Sequence, residues 1–159
     1  MFGGVMGEPI PRAGAGVLAE WIRWKPVGPI TMDDAGDLVF PPVPPVPGIY
    51  RFTIMEESEV AAGYVGQAAV SLVQRFRGYR GRGRKPALPL DKKTTSRNAR
   101  KILDALCDGR VVSVAIVDDR VVTPDGQVVV DLADKALRDR LEKDLIELLR
   151  GSGVEVLNR

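Results

Sequence analysis

Hydrophobic and polar positions along the chain change period several times, and each change predicts an element. Ile49 to Ile54 and Val60 to Gly66 are rich in β-branched and aromatic residues, with Glu56-Glu57-Ser58 between them. That pattern predicts two antiparallel strands joined by a turn. From Ala68 to Tyr79 the apolar positions Leu72, Val73 and Phe76 recur at helical spacing. Gly78, Gly81 and Gly83 then loosen the chain into a loop that runs to about Thr95. A second helix is signalled by Ser96 as N-cap, by Ile102, Leu103 and Leu106 as an apolar face, and by Gly109 as a stop. Val111 to Val117 has little polar alternation, which predicts a central strand buried on both faces. Val121-Val122 and Val128 to Val130 flank Thr123-Pro124-Asp125-Gly126-Gln127, a hairpin signal. Leu137, Leu141, Leu145 and Leu148 give a last helix, Ala133 to Arg150, its core stripe, and Gly151 ends it. Val154 to Leu157 can return as a short strand.

The first 40 residues are weakly patterned. Val17 to Trp24 can form a short helix with Leu18, Trp21 and Ile22 on one face. Pro41, Pro42, Pro44, Pro45 and Pro47 then forbid a helix or a central strand, so this stretch reads as a stiff, extended connector. The expected organisation is an N-terminal extension and connector over residues 1–47 and a compact domain over 48–159. The expected fold is a small α/β (α+β) domain: a central, mainly antiparallel sheet flanked by helices, with strands at 49–54, 60–66 and 111–117.

Composition narrows the chemistry. A chain of 159 residues fits one domain. No apolar run reaches the roughly 20 residues of a membrane helix. Glu8, Pro9, Pro11 and Arg12 interrupt the N-terminus before a signal-like apolar core develops. The lone Cys107 offers no disulfide framework, and a cytoplasmic location is expected. The chain has no histidine. That excludes Ser-His-Asp and Cys-His hydrolysis and leaves no usual zinc ligand set. Hydrolytic chemistry would have to come from Tyr, Lys, Arg, Asp and Glu with a hard cation.

Charge is unevenly spread. Between Arg75 and Lys101 stand eleven Lys and Arg against one acid, Asp91, so this segment carries +10 within a chain of net charge +2. The asymmetry points to a polyanion partner met by Arg77, Arg80, Arg82, Arg84, Lys85, Lys92, Lys93 and Arg97, or else to a solvated loop with charged tails.

The candidate chemistry centres on Gly48-Ile49-Tyr50 at the start of the first strand and Tyr64-Val65-Gly66 at the end of the second. A hairpin brings these ends together, so two phenols can line one surface. Arg75 and Tyr79 follow at i, i+4 on the next helix. Glu142 borders the apolar stripe of the last helix, and Asn158 follows Leu157 near the end.

In these residues the chain resembles the GIY-YIG nuclease family. The two name motifs match Gly48-Ile49-Tyr50 and Tyr64-Val65-Gly66, followed in order by Arg75, Tyr79, Glu142 in its E-x-x-L-I setting, and Asn158. The resemblance spans about residues 47–158. It departs in three places: Gln67 stands where many relatives carry a lysine, the first hairpin is slightly long, and Val121 to Val130 looks like a small insertion. Residues 1–47 match nothing in the family.

The resemblance implies a DNA endonuclease with one divalent cation, Mg²⁺ or Mn²⁺, held by Glu142; Glu147 is the fallback, in a different register from the family pattern. A single carboxylate suffices because such ions keep several waters. Arg75 would bind the scissile phosphate and stabilise its developing charge. Tyr50 would activate water, with Tyr64 or Tyr79 sharing or exchanging that role, and Asn158 would donate to a phosphate or orient a tyrosine. Sequence specificity would be modest or come from a homodimer or a partner. Two other readings stand beside this one. One is a catalytically silent nucleic-acid-binding module on the same fold. The other is a protein-interaction domain using the proline segment.

Overall fold

In the computed structural model, residues 23–80, 94–118, 120–122 and 128–158 are described. They form, in order, β1 (Lys25–Met32), β2 (Leu38–Val39), β3 (Gly48–Glu56), β4 (Glu59–Ala68), α1 (Leu72–Arg77), α2 (Thr94–Cys107), β5 (Val111–Val117), β6 (Arg120–Val122), β7 (Val128–Asp131), α3 (Lys135–Gly151) and β8 (Glu155–Val156). Six strands make one sheet in the order β2-β1-β5-β3-β4-β8, and β6 with β7 makes a separate ribbon. All pairings are antiparallel except that of β8 with β4. This is the mixed α+β fold expected, with a mainly antiparallel sheet between helices.

Alternation along the strands sorts the core into two layers. Tyr50, Phe52, Ile54, Tyr64, Val112, Val114 and Ile116 face one side, where Leu72 and Phe76 of α1 and Ala99, Ile102 and Leu103 of α2 cover them. Ile49, Val65 and Val117 face the other side, under Leu141 and Leu145 of α3. Val111–Val117 is the central strand it was expected to be, paired on one edge to β1 and on the other to β3.

The sheet begins upstream of Gly48, within residues expected to form the N-terminal extension and connector. β1 pairs with β5 from Lys25↔Ile116 to Ile30↔Val112, and β2 pairs with β1. Sequence pattern hid β1 because Pro26, Gly28 and Pro29 interrupt it and only Ile30 is buried along it. The strand is held by backbone pairing to β5, with a register shift between Pro26 and Gly28. Residues 41–47 form neither helix nor strand and bend at Pro45 and Val46, and they are no free connector: Phe40 and Val43 pack into the core, and the Val46 carbonyl accepts from the Leu72 amide at 2.9 Å.

The helix boundaries also differ in detail. β4 runs on to Ala68, and Ser71 caps α1 by accepting from the Gln74 amide at 3.3 Å, so this helix is only six residues long. α2 begins at Thr94, which places Ser96 within its first turn rather than at its cap. It ends as the sequence predicts: Gly109 has φ +80°, and the Arg110 amide reaches back to the Ala105 carbonyl at 2.9 Å. Asp134 caps α3 by accepting from the Leu137 amide at 3.2 Å. Leu141 and Leu145 are buried as expected, whereas Leu148 is 45% exposed and Leu149 takes its place against the sheet. The expected helix over Val17 to Trp24 lies outside the described residues apart from its last two positions, as do the turn 123–127 and residues 81–93 of the basic loop.

Candidate active site

The two glycine-tyrosine motifs meet because of strand register. Tyr50 stands opposite Gly66 and Phe52 opposite Tyr64, so both phenols project from the same face of the sheet, with ring centroids 6.1 Å apart. Gly66 is required by space: a Cβ there would stand 2.5 Å from both Cζ and Oη of Tyr50 and 2.8 Å from Cε2 of Tyr64. The Tyr50 ring therefore lies across bare backbone. Gly48 is required in the same way, since a Cβ would come within 2.6 Å of the Val117 carbonyl oxygen.

Arg75 and Tyr79 complete this cluster. Arg75 Nε donates to Tyr50 Oη at 3.1 Å, and the hydroxyls of Tyr50 and Tyr79 are 3.1 Å apart. The Arg75 guanidinium also lies 5.6 Å from the centre of the Tyr79 ring, a cation–π distance. Tyr79 sits in the turn after α1 rather than in the helix, yet it still closes on Arg75. Phe40, Phe52 and Phe76 wall the phenols in. Burial pushes the Tyr50 phenol well above its ordinary range, Tyr79 adds to this, and Arg75 opposes it. Burial raises Tyr64 and Tyr79 as well. On Arg75 burial works against the charge, but the surrounding phenols outweigh it and hold the guanidinium protonated.

Glu142 approaches from the other layer. It lies on α3, beneath the opposite face of the sheet, and is half-buried. Its Oε1 accepts from Gln67 Nε2 at 2.9 Å. Gln67 follows Gly66 and so points to the α3 side. β8 pairs only with Ala62 and Gly63 of β4. Glu142 also interacts electrostatically with Arg75 and Tyr64. Burial raises its carboxyl above the usual glutamate range, against the hydrogen bond from Gln67, which lowers it. Glu147 is turned elsewhere and pairs with Arg150 at 2.6 Å.

Sequence reasoning missed the set that holds Glu142. Gln67 Nε2 also donates to Asp139 Oδ1 at 2.7 Å, and Gln67 Oε1 accepts from Arg138 Nε at 2.6 Å. Arg138 is only 2% exposed and donates through Nη1 to the Leu132 carbonyl at 2.9 Å. The available signal was Gln67 itself, a departure from the family pattern one residue after the second motif. Asn98 was missed too. It is a polar residue on the apolar stripe of α2, four residues before Ile102, and only 1% exposed.

Asn158, expected to donate to a phosphate or orient a tyrosine, stands against the strand backbone next to Tyr64. Its Oδ1 accepts from the Val65 amide at 3.0 Å and its Nδ2 donates to the Val65 carbonyl at 2.8 Å. The side chain thus extends the pairing of β8 along β4, one residue from Tyr64. Among the residues expected to contact DNA, Arg77 is exposed on α1. Arg80 is paired with Asp33 at 3.4 Å and Asp37 at 3.9 Å. Arg97 lies on α2, half-buried. Arg82, Arg84, Lys85, Lys92 and Lys93 fall outside the described residues.

Among the described residues no three Asp, Glu, Cys or His side chains group as a metal cage. A Mg²⁺-type ion does not need one, because it binds through one or two carboxylates and keeps its waters. Glu142 and Asp139 suit that demand, since one oxygen of each converges on the same Gln67 nitrogen.

No protein-family model matches the chain, and no curated protein does. Among solved structures, a mutant of EndoII from bacteriophage T4 is similar over 84% of this chain and 92% of that one, with a TM-score of 0.53 and 20% sequence identity. At that identity the likeness is one of fold.

Proposed function

We propose that the protein is a metal-dependent endonuclease of the GIY-YIG type that hydrolyses DNA phosphodiester bonds. The observation that carries this reading is the bonded line Arg75–Tyr50–Tyr79, with Tyr64 on the same face and Glu142 at its rim. Six residues scattered over more than a hundred positions supply one cation, three phenols, one carboxylate and one amide clamp around a single strand edge. The likeness of fold to a phage endonuclease supports it further.

In this reading Arg75 receives the scissile phosphate. Its guanidinium is already held in place by Tyr50, so little reorganisation is needed as charge develops. Glu142, with Asp139 beside it, would hold Mg²⁺ or Mn²⁺, which when bound supplies charge against the phosphate and acidifies water. Tyr50, its own proton first released to solvent, takes the proton of the attacking water, and the pair with Tyr79 shares one proton across its hydrogen bond. Because burial keeps the phenols protonated in the free protein, base action depends on positive charge brought to the site. Asn158 acts indirectly, by fixing β4 next to Tyr64. The basic segment, Arg75 to Lys101, supplies sequence-independent DNA affinity.

Incubating plasmid DNA with the protein and Mg²⁺ or Mn²⁺ tests this, with EDTA as control. Nicking that EDTA abolishes is expected. A second reading, a silent DNA-binding module, is favoured by one observation: Gln67 already engages the Glu142 carboxylate. DNA binding with no nicking under either metal would replace the first reading by the second.

A further inference from the structure

Gln67 stands between a buried cation and a pair of carboxylates, and the chemistry at each end fixes which way its amide faces. On one side is Arg138, 2% exposed, whose Nε donates to Gln67 Oε1 at 2.6 Å and whose Nη1 donates to the Leu132 carbonyl at 2.9 Å. A guanidinium has only donors, so the oxygen of the amide must face it. On the other side Gln67 Nε2 donates to Asp139 Oδ1 at 2.7 Å and to Glu142 Oε1 at 2.9 Å. Ionised carboxylates only accept, so the nitrogen of the amide must face them, and both its hydrogens are then used. Turned over, the amide would set its oxygen against the carboxylates and its nitrogen against the guanidinium. Arg138, held in place by burial and by the Leu132 carbonyl, therefore locks the orientation of Gln67.

The lock decides which oxygens a cation can use. Asp139 keeps Oδ2, which accepts from the exposed Lys135 at 2.5 Å. Glu142 keeps Oε2, which forms no hydrogen bond among the described residues. While Gln67 holds its bonds, each carboxylate can offer a cation only one oxygen that Gln67 has not taken. Gln67 offers none, because its own oxygen is turned to Arg138. Those limits sort divalent ions. Mg²⁺ keeps several waters and is satisfied by one or two carboxylates, each giving one oxygen, whereas Ca²⁺ gathers more protein oxygens, often both of one carboxylate or the carbonyl of a Gln. Mn²⁺ shares the octahedral oxygen sites of Mg²⁺.

We propose that Gln67, locked by Arg138, is the residue that sets metal preference at this site: it confines Glu142 and Asp139 to one oxygen each and so favours Mg²⁺ or Mn²⁺ over Ca²⁺. The proposal rests on the nuclease reading for the place of the ion at Glu142. It does not rest on cleavage, because metal preference is measured without DNA. It also gives the contact between Gln67 and Glu142 a use other than silencing the site.

The test measures Mn²⁺ binding to the full chain from the loss of the free ion's paramagnetic resonance signal, and Ca²⁺ binding from its competition with Mn²⁺. Gln67→Met keeps the length of the side chain and releases both carboxylate oxygens. Arg138→Gln ends the lock from the other side, lets the amide offer its oxygen, and guards against a Met variant that fails to fold. Arg138→Lys, which still has only donors, should keep the parent's preference. Glu142→Gln identifies binding at this site. Hydrogen-bond partners behind a metal ligand are worth about 10–100-fold in affinity, so the preference for Mn²⁺ over Ca²⁺ is expected to fall about tenfold or more in Gln67→Met and Arg138→Gln. A merely structural part for Gln67 would weaken both ions alike and leave their ratio as it was. A ratio unchanged in every folded variant overturns the proposal, and so does Mn²⁺ binding that Glu142→Gln does not weaken. Metal-dependent nicking by the parent with an unchanged ratio removes the role of Gln67 and leaves the nuclease reading. A ratio that falls as expected in a protein that nicks no DNA leaves the role of Gln67 and removes the nuclease reading.

Discussion

The three tyrosines of this chain, Tyr50, Tyr64 and Tyr79, all lie in one buried cluster, so any tyrosine titration reads the candidate site with no background. Each phenol is pushed above its ordinary value of 10.0, chiefly by burial. As pH rises through 10 the unfolded chain releases these protons while the folded protein keeps them. The unfolded state then binds fewer protons, so unfolding becomes easier as pH rises. Stability is fully present below pH 10 and is lost above it. Each phenol contributes a slope of about 1.4 kcal/mol per pH unit, and three together about 4 kcal/mol per unit. A domain of this size is stable by about 5–15 kcal/mol. The fold should therefore give way within roughly one to four units above pH 10, and the phenols should ionise as it does. Near-ultraviolet tyrosinate absorbance and far-ultraviolet circular dichroism, followed together against pH, are expected to change in one cooperative step, with little tyrosinate before it. Three tyrosines titrating near pH 10 while the dichroism stays native would refute the buried cluster, and with it the geometry on which the site is built.

Other changes test the remaining parts. Gly66→Ala drives a methyl into the Tyr50 ring; it should cost about 1–3 kcal/mol, read as a lower midpoint of thermal unfolding, and disturb the Arg75–Tyr50 bond so that nicking falls further than stability alone explains. Glu142→Gln should lower metal-dependent nicking by about 100-fold or more, while folding shifts by only about half a kcal/mol, as a thermal melt will show. An unchanged nicking rate would place the carboxylate outside the reaction. Because burial raises the Glu142 carboxyl in the free protein, protons should compete with the metal from above the usual glutamate range, and a metal affinity flat down to pH 4.5, its ordinary value, would contradict that. Replacing Arg82, Arg84 and Lys85 by Ala should flatten the salt dependence of DNA affinity by up to about one slope unit per lost phosphate contact; an identical slope would mean these side chains touch no phosphate.

Sequence pattern revealed the parts of the fold whose partners are local or whose burial is periodic. The β3–β4 hairpin, the central strand β5 and the stripe of α3 are all of this kind, because each writes its burial into residues close together. It failed on β1, whose stability comes from backbone bonds to β5, about eighty-five residues away, and whose side chains are mostly exposed. The phenols and Arg75 were legible because a hairpin and the helix after it must put them together. Gln67, Arg138 and Asp139 were not, since their meeting depends on how α3 packs on the sheet. Asn158 was expected to donate to a phosphate or orient a tyrosine; a side-chain amide has the same donor and acceptor as a peptide group, and here it pairs with that of Val65, next to Tyr64.

The arrangement also shows why the two halves of the candidate site sit on different layers. Adjacent residues of a strand point to opposite faces, so Gly66 and Gln67 serve one half each. Gly66 leaves bare backbone on the phenol side, across which the Tyr50 ring lies. Gln67 reaches down on the α3 side and holds Glu142 against the strand edge. One peptide unit thus fixes the distance between the phenols and the carboxylate. Asn158 pins the backbone of Val65, just before that unit, on both its amide and its carbonyl. A separation set this way depends on the backbone of β4 more than on flexible side chains. In the proposed reading, where Glu142 and Asp139 would hold the ion and no histidine is present, that rigidity matters, since few groups must act at defined distances on one phosphate.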